Sequence, residues 1–164
     1  MPKKGYRKDM WRLLRDEVDE VSAMGGNPFY AFMILLMLAL GAWHVVVPLA
    51  IGLALCFAVS IPLKMFFFVR RPDNQTYKTW VEQTDAASFP SMHAMRTTIL
   101  AVVLSLFFNN VLMTIFMAGF VVFVGATRIV MKRHRLVDLI GGVVLGLLLS
   151  YLSVVISSWL AETL

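Results

Sequence analysis

The sequence predicts an all-α integral membrane bundle, with about five transmembrane helices preceded by an amphipathic helix in the interface. Three observations lead there. Of the 164 residues, 59% are hydrophobic and 15% charged, with mean hydropathy +0.76, whereas a soluble domain is about half apolar and about a quarter charged. The charge is also segregated: neither Thr97–Thr127 nor Leu139–Ala161 contains Asp, Glu, Lys, Arg or His. Between those runs, Arg128, Lys132, Arg133, His134, Arg135 and Asp138 crowd into one short stretch. Ionisable groups at membrane helix ends are costly unless they line a cavity or reach the interface, so such a cluster points to function.

Each element follows from a local pattern. Residues 6–24 place Met10, Trp11, Leu14, Val18 and Val21 on one helical face and most charges elsewhere, as an interfacial helix does. Gly25-Gly26-Asn27-Pro28 ends it and supplies a proline to start the next helix. From Val21 to Leu63 there is no Asp, Glu, Lys or Arg, which is enough for two spans of near-minimal length. Trp43 and His44 beside Gly41 mark the turn, giving a short first span over 28–42 and a second over 45–69. Pro48 and Pro62 are candidate kinks in the second. Residues 70–90 are polar and form the longest loop. A third span over 90–108 ends at Asn109-Asn110, a turn signal, and a fourth returns over 111–130. A short basic loop leads to the fifth, 138–160, where Gly142, Gly146 and Ser150 form a small-residue stripe suited to close helix packing. The chain 1–164 reads as one domain.

Composition narrows the function further. One cysteine, Cys56, cannot form an internal disulfide and reads as apolar packing. The basic start is followed by acidic residues 16–20 rather than an apolar core, which argues against a cleaved signal peptide. A net charge of +5 suits anionic lipid surfaces and phosphorylated substrates. Nucleic acid is a poor partner for a chain with so little outside the bilayer. The partners that composition suggests are anionic lipid surfaces or phosphorylated substrates, and the chain is compatible with a homo-oligomer.

The layout brings the end of span two, the start of three, the end of four and the start of five to one side of the membrane. Lys64, Arg71, Ser91, His93, Arg128, His134 and Asp138 sit at those ends. His134 and Asp138 are four apart, one turn if the helix begins early enough. The acid can then accept a hydrogen bond from one imidazole nitrogen and leave the other as a nucleophile. Pro90-Ser91-Met92-His93 opens a helix whose backbone N–H groups, with the Ser91 hydroxyl, form a seat for phosphate. His93 can protonate a leaving oxygen. A nucleophile and an acid on opposite sides of phosphorus, with cations around its oxygens, suits in-line phosphoryl transfer.

Three stretches, Lys64-x6-Arg71-Pro72, Pro90-Ser91-Met92-His93 and Thr127-Arg128-x5-His134-x3-Asp138, stand in order. Together the chain resembles the type 2 phosphatidic acid phosphatase superfamily. The resemblance implies that His134 attacks phosphorus to give a phosphohistidine, oriented by Asp138, while His93 protonates the leaving group and later helps to activate water. It also implies that Lys64, Arg71, Ser91, Met92 (through its backbone) and Arg128 hold the phosphate oxygens, without a metal or other cofactor. That family includes phosphatases of phosphatidate, phosphatidylglycerophosphate, lipid A and polyprenyl phosphates or diphosphates, and soluble vanadium haloperoxidases. A peroxidase is disfavoured here because so little soluble scaffold surrounds the site. Met92 stands where the family usually has glycine and Thr127 where it has serine; both keep the backbone N–H or hydroxyl that matters. The family core commonly has six membrane helices against five here, and the interfacial helix would be the remnant of the first.

Arg96, one turn beyond His93, is either a contact to substrate or an internal partner of Asp85 or Glu82. Every Lys and Arg falls on the site's side of this layout or within a turn or two of it, which by the positive-inside rule places the site at the cytoplasmic face of the cell membrane. The expected activity is hydrolysis of a lipid phosphomonoester or diphosphate. The alternatives are a phosphotransferase using the same site and a non-catalytic protein that binds anionic lipid.

Overall fold

The computed structural model describes residues 23–69 and 87–163. Five helices run through them: α1 (Asn27–Ala39), α2 (Trp43–Phe66), α3 (Met92–Phe108), α4 (Val111–Val130) and α5 (Leu136–Thr163), with a 3-10 turn, Ala23–Gly25, ahead of α1. The expected interfacial helix over 6–24 lies outside the described residues except for its last two positions, which belong to that turn. The expected loop 70–90, Arg71 included, lies outside them up to residue 86.

Helices α2, α4 and α5 are long and apolar enough to cross a membrane. The other two are shorter. Thirteen residues of α1 reach only about 20 Å at 1.5 Å per residue, against a hydrocarbon core of about 30 Å. The expected first span, 28–42, is therefore trimmed at its end, because the chain turns at Leu40–Ala42. Gly41 takes a left-handed φ of 70° there, a conformation that costs glycine nothing. Helix α2 starts two residues earlier than expected and runs helically through Pro48 and Pro62 to Phe66. The Asn109-Asn110 turn forms as its residues predict. Asn109 closes α3 in a left-handed conformation, φ 46°, and the Asn110 side chain caps α4 by accepting from the N–H groups of Leu112 (2.8 Å) and Met113 (3.3 Å).

Helix α3 is the centre of the bundle, packed against α5, α4 and α2. That explains why it is the least purely apolar of them: its polar Arg96, Thr97 and Thr98 are buried against protein rather than lipid. Thr97 and Thr98 donate to carbonyls one turn back, at His93 (2.9 Å) and Ala94 (2.7 Å), so neither of these two hydroxyls is stranded. The expected small-residue stripe on α5 is where α3 crosses. A Cβ on Gly142 would lie 2.5 Å from the Ser91 carbonyl oxygen, and one on Gly146 would lie 2.7 Å from Thr98 Cβ. Only bare backbone permits that approach. The apolar core, built on Tyr30, Leu49, Cys56, Met95 and Ile99, fills the space among α1, α2 and α3. Tyr30 satisfies its hydroxyl by donating to the Leu49 carbonyl at 3.0 Å. On the far side, His44 opens α2 with its ring against Phe107, centroids 4.9 Å apart.

Candidate active site

Three backbone ties draw the four helix ends together. Beyond α2, the N–H of Ser88 donates to the Val69 carbonyl at 2.8 Å, which closes the 70–86 connection at its base and brings the chain back to α3. At the start of α3, the N–H of Ser91 donates to the Asp138 carbonyl at 3.1 Å, joining α3 to the first turn of α5. At the end of α4, the N–H groups of Arg133 and His134 both reach back to the Arg128 carbonyl, at 3.0 and 3.3 Å. Residues far apart in sequence are thereby held at one end of the bundle, as the span order requires.

The α4–α5 connection has a specific cause. Lys132 adopts the left-handed region, φ 56°. Its N–H donates to the Ile129 carbonyl at 2.9 Å, while Arg133 N–H reaches Arg128. These two bonds are a Schellman closure of α4. The closure folds Arg133 and His134 back over the helix end, beside Arg128, instead of letting them continue outward.

Asp138 is then delivered by the start of α5, in a way that differs from the sequence expectation. The helix begins at Leu136, so His134 precedes it, and the two residues are not stacked on one helical turn. Asp138 is the third residue of α5, and its Oδ2 accepts from the N–H of Arg135 at 2.7 Å, one half of a capping box. The same Oδ2 lies 3.9 Å from His134 Nδ1. One carboxylate oxygen therefore both starts the helix and faces the imidazole, leaving Nε2 as the ring's other nitrogen.

Ser91 is the N-cap of α3, and its Oγ accepts from Ala94 N–H at 3.4 Å. Its own N–H is committed to Asp138, so the donors this helix start offers are the hydroxyl proton of Ser91 and the first-turn N–H groups of Met92 and His93, which precede any carbonyl of the helix. The helix dipole adds positive potential there. Thr127, buried next to Arg128, donates its hydroxyl to the Val124 carbonyl at 2.7 Å. Lys64 lies in the last turn of α2 and Arg128 in the last turn of α4. Lys64, Arg128, His134 and Asp138 are each no more than 7% exposed. Placing several ionised groups so deeply costs several kcal/mol each unless they are paired or serve a charged ligand.

Arg96 departs from this group. Its Nε donates to the Gly25 carbonyl at 3.2 Å, and its Nη1 donates to the Asn27 side-chain oxygen. The sequence leaves it between a substrate contact and an internal pair with Asp85 or Glu82, which lie outside the described residues. Gly25 is the residue that sequence reasoning missed: a Cβ there would lie 2.9 Å from His93 Cδ2 and 2.8 Å from Val124 Cγ1. The turn before α1 therefore sits against the His93 ring. In the sequence, a glycine pair ahead of an Asn-Pro helix start carries only the signal of a helix boundary.

A groove of about 600 Å³ runs between α3, α4 and α5, lined by Thr98, Ala101, Ile115, Ala118, Val143 and Leu147 among others. Its near end, at Thr98, Val121 and Val143, lies roughly one to two turns along the helices from His93, Arg128 and Asp138. Its far end is at Asn109-Asn110.

The sequence model of the PAP2 superfamily matches residues 43–162, a stretch containing every residue of this cluster and all of α2 to α4. No curated protein matches the chain. Among solved structures, LpxE of Aquifex aeolicus has a similar fold: TM-score 0.72 at 21% identity, covering 86% of this chain and 85% of that one. With the family match extending over most of its length and the helical fold shared across nearly all of it, this protein belongs to the PAP2 superfamily.

Proposed function

We propose that the protein is a metal-independent membrane lipid phosphatase that hydrolyses a lipid phosphomonoester or diphosphate through a phosphohistidine. The observation that carries this reading is the pairing of His134 Nδ1 with Asp138 Oδ2 at 3.9 Å beside the N-terminus of α3, where Ser91, Met92 and His93 stand. His134 Nε2 attacks phosphorus, and the bond from phosphorus to the lipid oxygen breaks on the opposite side. His93 gives its proton to that oxygen. Water then attacks the phosphohistidine, its proton passing to His93, and phosphate leaves with His134 restored.

Charge accumulates on the three equatorial oxygens during both steps, and Lys64, Arg71, Arg128 and the α3 N-terminus stabilise it. The carboxylate of Asp138 holds the imidazole in the required orientation and stabilises the cation that forms on it. The groove supports a substrate with a long hydrocarbon chain, because it begins roughly one to two helical turns from the site and continues between α3, α4 and α5. Candidate substrates are phosphatidate, phosphatidylglycerophosphate and polyprenyl phosphates or diphosphates. The distribution of Lys and Arg supports a site at the cytoplasmic face of the cell membrane.

The test is phosphate release by the purified protein in detergent with EDTA, across a panel of lipid phosphates and diphosphates. Release that persists in EDTA and disappears in His134→Ala is the expected result. Label moving to an added acceptor without free phosphate would turn the reading into phosphotransfer. No turnover of any lipid, or equal turnover by the mutant, would refute it.

A further inference from the structure

We infer that Arg96 is a positioning residue that acts on His93 through Gly25, and that the Ala23–Gly25 turn is a fixed wall of the catalytic site. The inference rests on the reading of His93 as the acid for the leaving oxygen.

The geometry runs through three contacts. Arg96 is buried on α3, one turn below His93. Its guanidinium holds the Gly25 carbonyl at 3.2 Å and the Asn27 side chain, residues more than sixty positions away in sequence. A planar fork that grips two acceptors on one segment fixes its orientation as well as its distance, which a single donor cannot do. The segment so held presents Gly25 to the His93 ring, so close that a Cβ would lie 2.9 Å from Cδ2 and 3.2 Å from Cβ of that histidine. Val124 of α4 closes the other side, at 2.8 Å from the same hypothetical carbon. The backbone of His93 is secured separately, its carbonyl accepting from Thr97 Oγ1 at 2.9 Å. What Arg96 governs is therefore the ring.

A general acid must hold its proton within hydrogen-bond reach of the leaving oxygen. A wall against one edge of the imidazole removes rotamers that point elsewhere and keeps water from that edge. Releasing the wall should cost turnover while leaving the phosphate seat intact.

The experiment compares wild type with Arg96→Met, Arg96→Lys, Gly25→Ala and His93→Ala, all full-length and purified in detergent. It follows lipid phosphate turnover and the rate at which diethyl pyrocarbonate modifies His93, resolved by mass spectrometry. The expectation for Arg96→Met is a kcat lowered by roughly tenfold or more, within the range that loss of general-acid catalysis can reach. KM should change by less than about twofold, and His93 should be modified several times faster. Arg96→Lys, which reaches one acceptor, should fall between. Gly25→Ala should lower kcat as well, by displacing the ring directly.

Unchanged kcat and unchanged His93 modification in Arg96→Met would overturn the inference while leaving the phosphatase reading intact. So would a loss of activity that tracks only a lower melting temperature, with His93 in the folded fraction modified at the wild-type rate. If wild type releases no phosphate from any lipid, the phosphatase reading fails. The modification rates still decide whether Arg96 holds the wall against His93.

Discussion

At the scale of single residues, two side chains do unexpected work in placing His134. Lys132 occupies the left-handed position of the Schellman closure, where a side chain other than glycine costs roughly 1–2 kcal/mol. Lys132→Gly should therefore leave phosphate release intact and raise stability by up to about 1 kcal/mol, readable as a higher melting temperature in detergent. Lys132→Val should lower both stability and turnover, because a β-branched residue tolerates that conformation worst and His134 follows the closure. Asp138 separates its two tasks by substitution. Asp138→Asn keeps an oxygen for the Arg135 N–H but loses the charge facing His134, so kcat should fall by about a hundredfold or more with little change in melting temperature. Asp138→Ala should lose the turnover and, in addition, about 1 kcal/mol of helix capping.

At the scale of elements, the crossing of α3 and α5 sets the site. Ser91 N–H and the Asp138 carbonyl are bonded across it, and Gly142 makes the approach possible. Gly142→Ala would place a methyl 2.5 Å from the Ser91 oxygen, so the helices must part. Phosphate release should drop by at least about tenfold, and stability by about 1–3 kcal/mol, as overpacking typically costs. A substitution at the other end of the bundle provides the contrast. Asn110→Ala removes the cap of α4 and should cost about 1 kcal/mol of stability, with kcat unchanged because the cap lies at the opposite end of α3 and α4 from His93 and His134. Any kinetic effect should be confined to KM, because Asn110 also lines the far end of the groove.

The elements themselves were largely legible in the sequence, and for definite reasons. Hydropathy marked α2, α4 and α5, the Asn109-Asn110 pair marked the turn between α3 and α4, and the glycine stripe on α5 marked a crossing. The ends were less legible. A helix start at Leu136 depends on Asp138 capping Arg135, and a histidine four positions before an acid reads equally well as one turn of an already formed helix. Lys132 left no trace, because a lysine carries none of glycine's preference for a left-handed closure.

At the scale of the whole molecule, the span order brings four helix ends, and with them Lys64, Ser91, His93, Arg128, His134 and Asp138, to one side. The positive-inside reading then orients the bundle. It can be checked by replacing Cys56 with Ser and introducing one cysteine at Arg133 or at Asn110. An impermeant maleimide applied to intact cells should label Asn110→Cys directly and Arg133→Cys only after permeabilisation. The reverse pattern would place the site at the outer face.

The sequence by itself determined that this chain is a helical membrane protein, where its spans turn, and that two histidines, an acid and several cations belong to one end. These properties are local or follow from chain order: hydropathy is a property of a window, and alternating spans return their ends to the same face. Only the tertiary structure decided what Arg96 holds, why residue 25 must lack a side chain, and how His134 reaches Asp138 from outside the helix. Arg96 and Gly25 are 71 positions apart, and neither residue type announces the other. Such a contact comes from how the helices pack, which depends on the shapes of all of them at once.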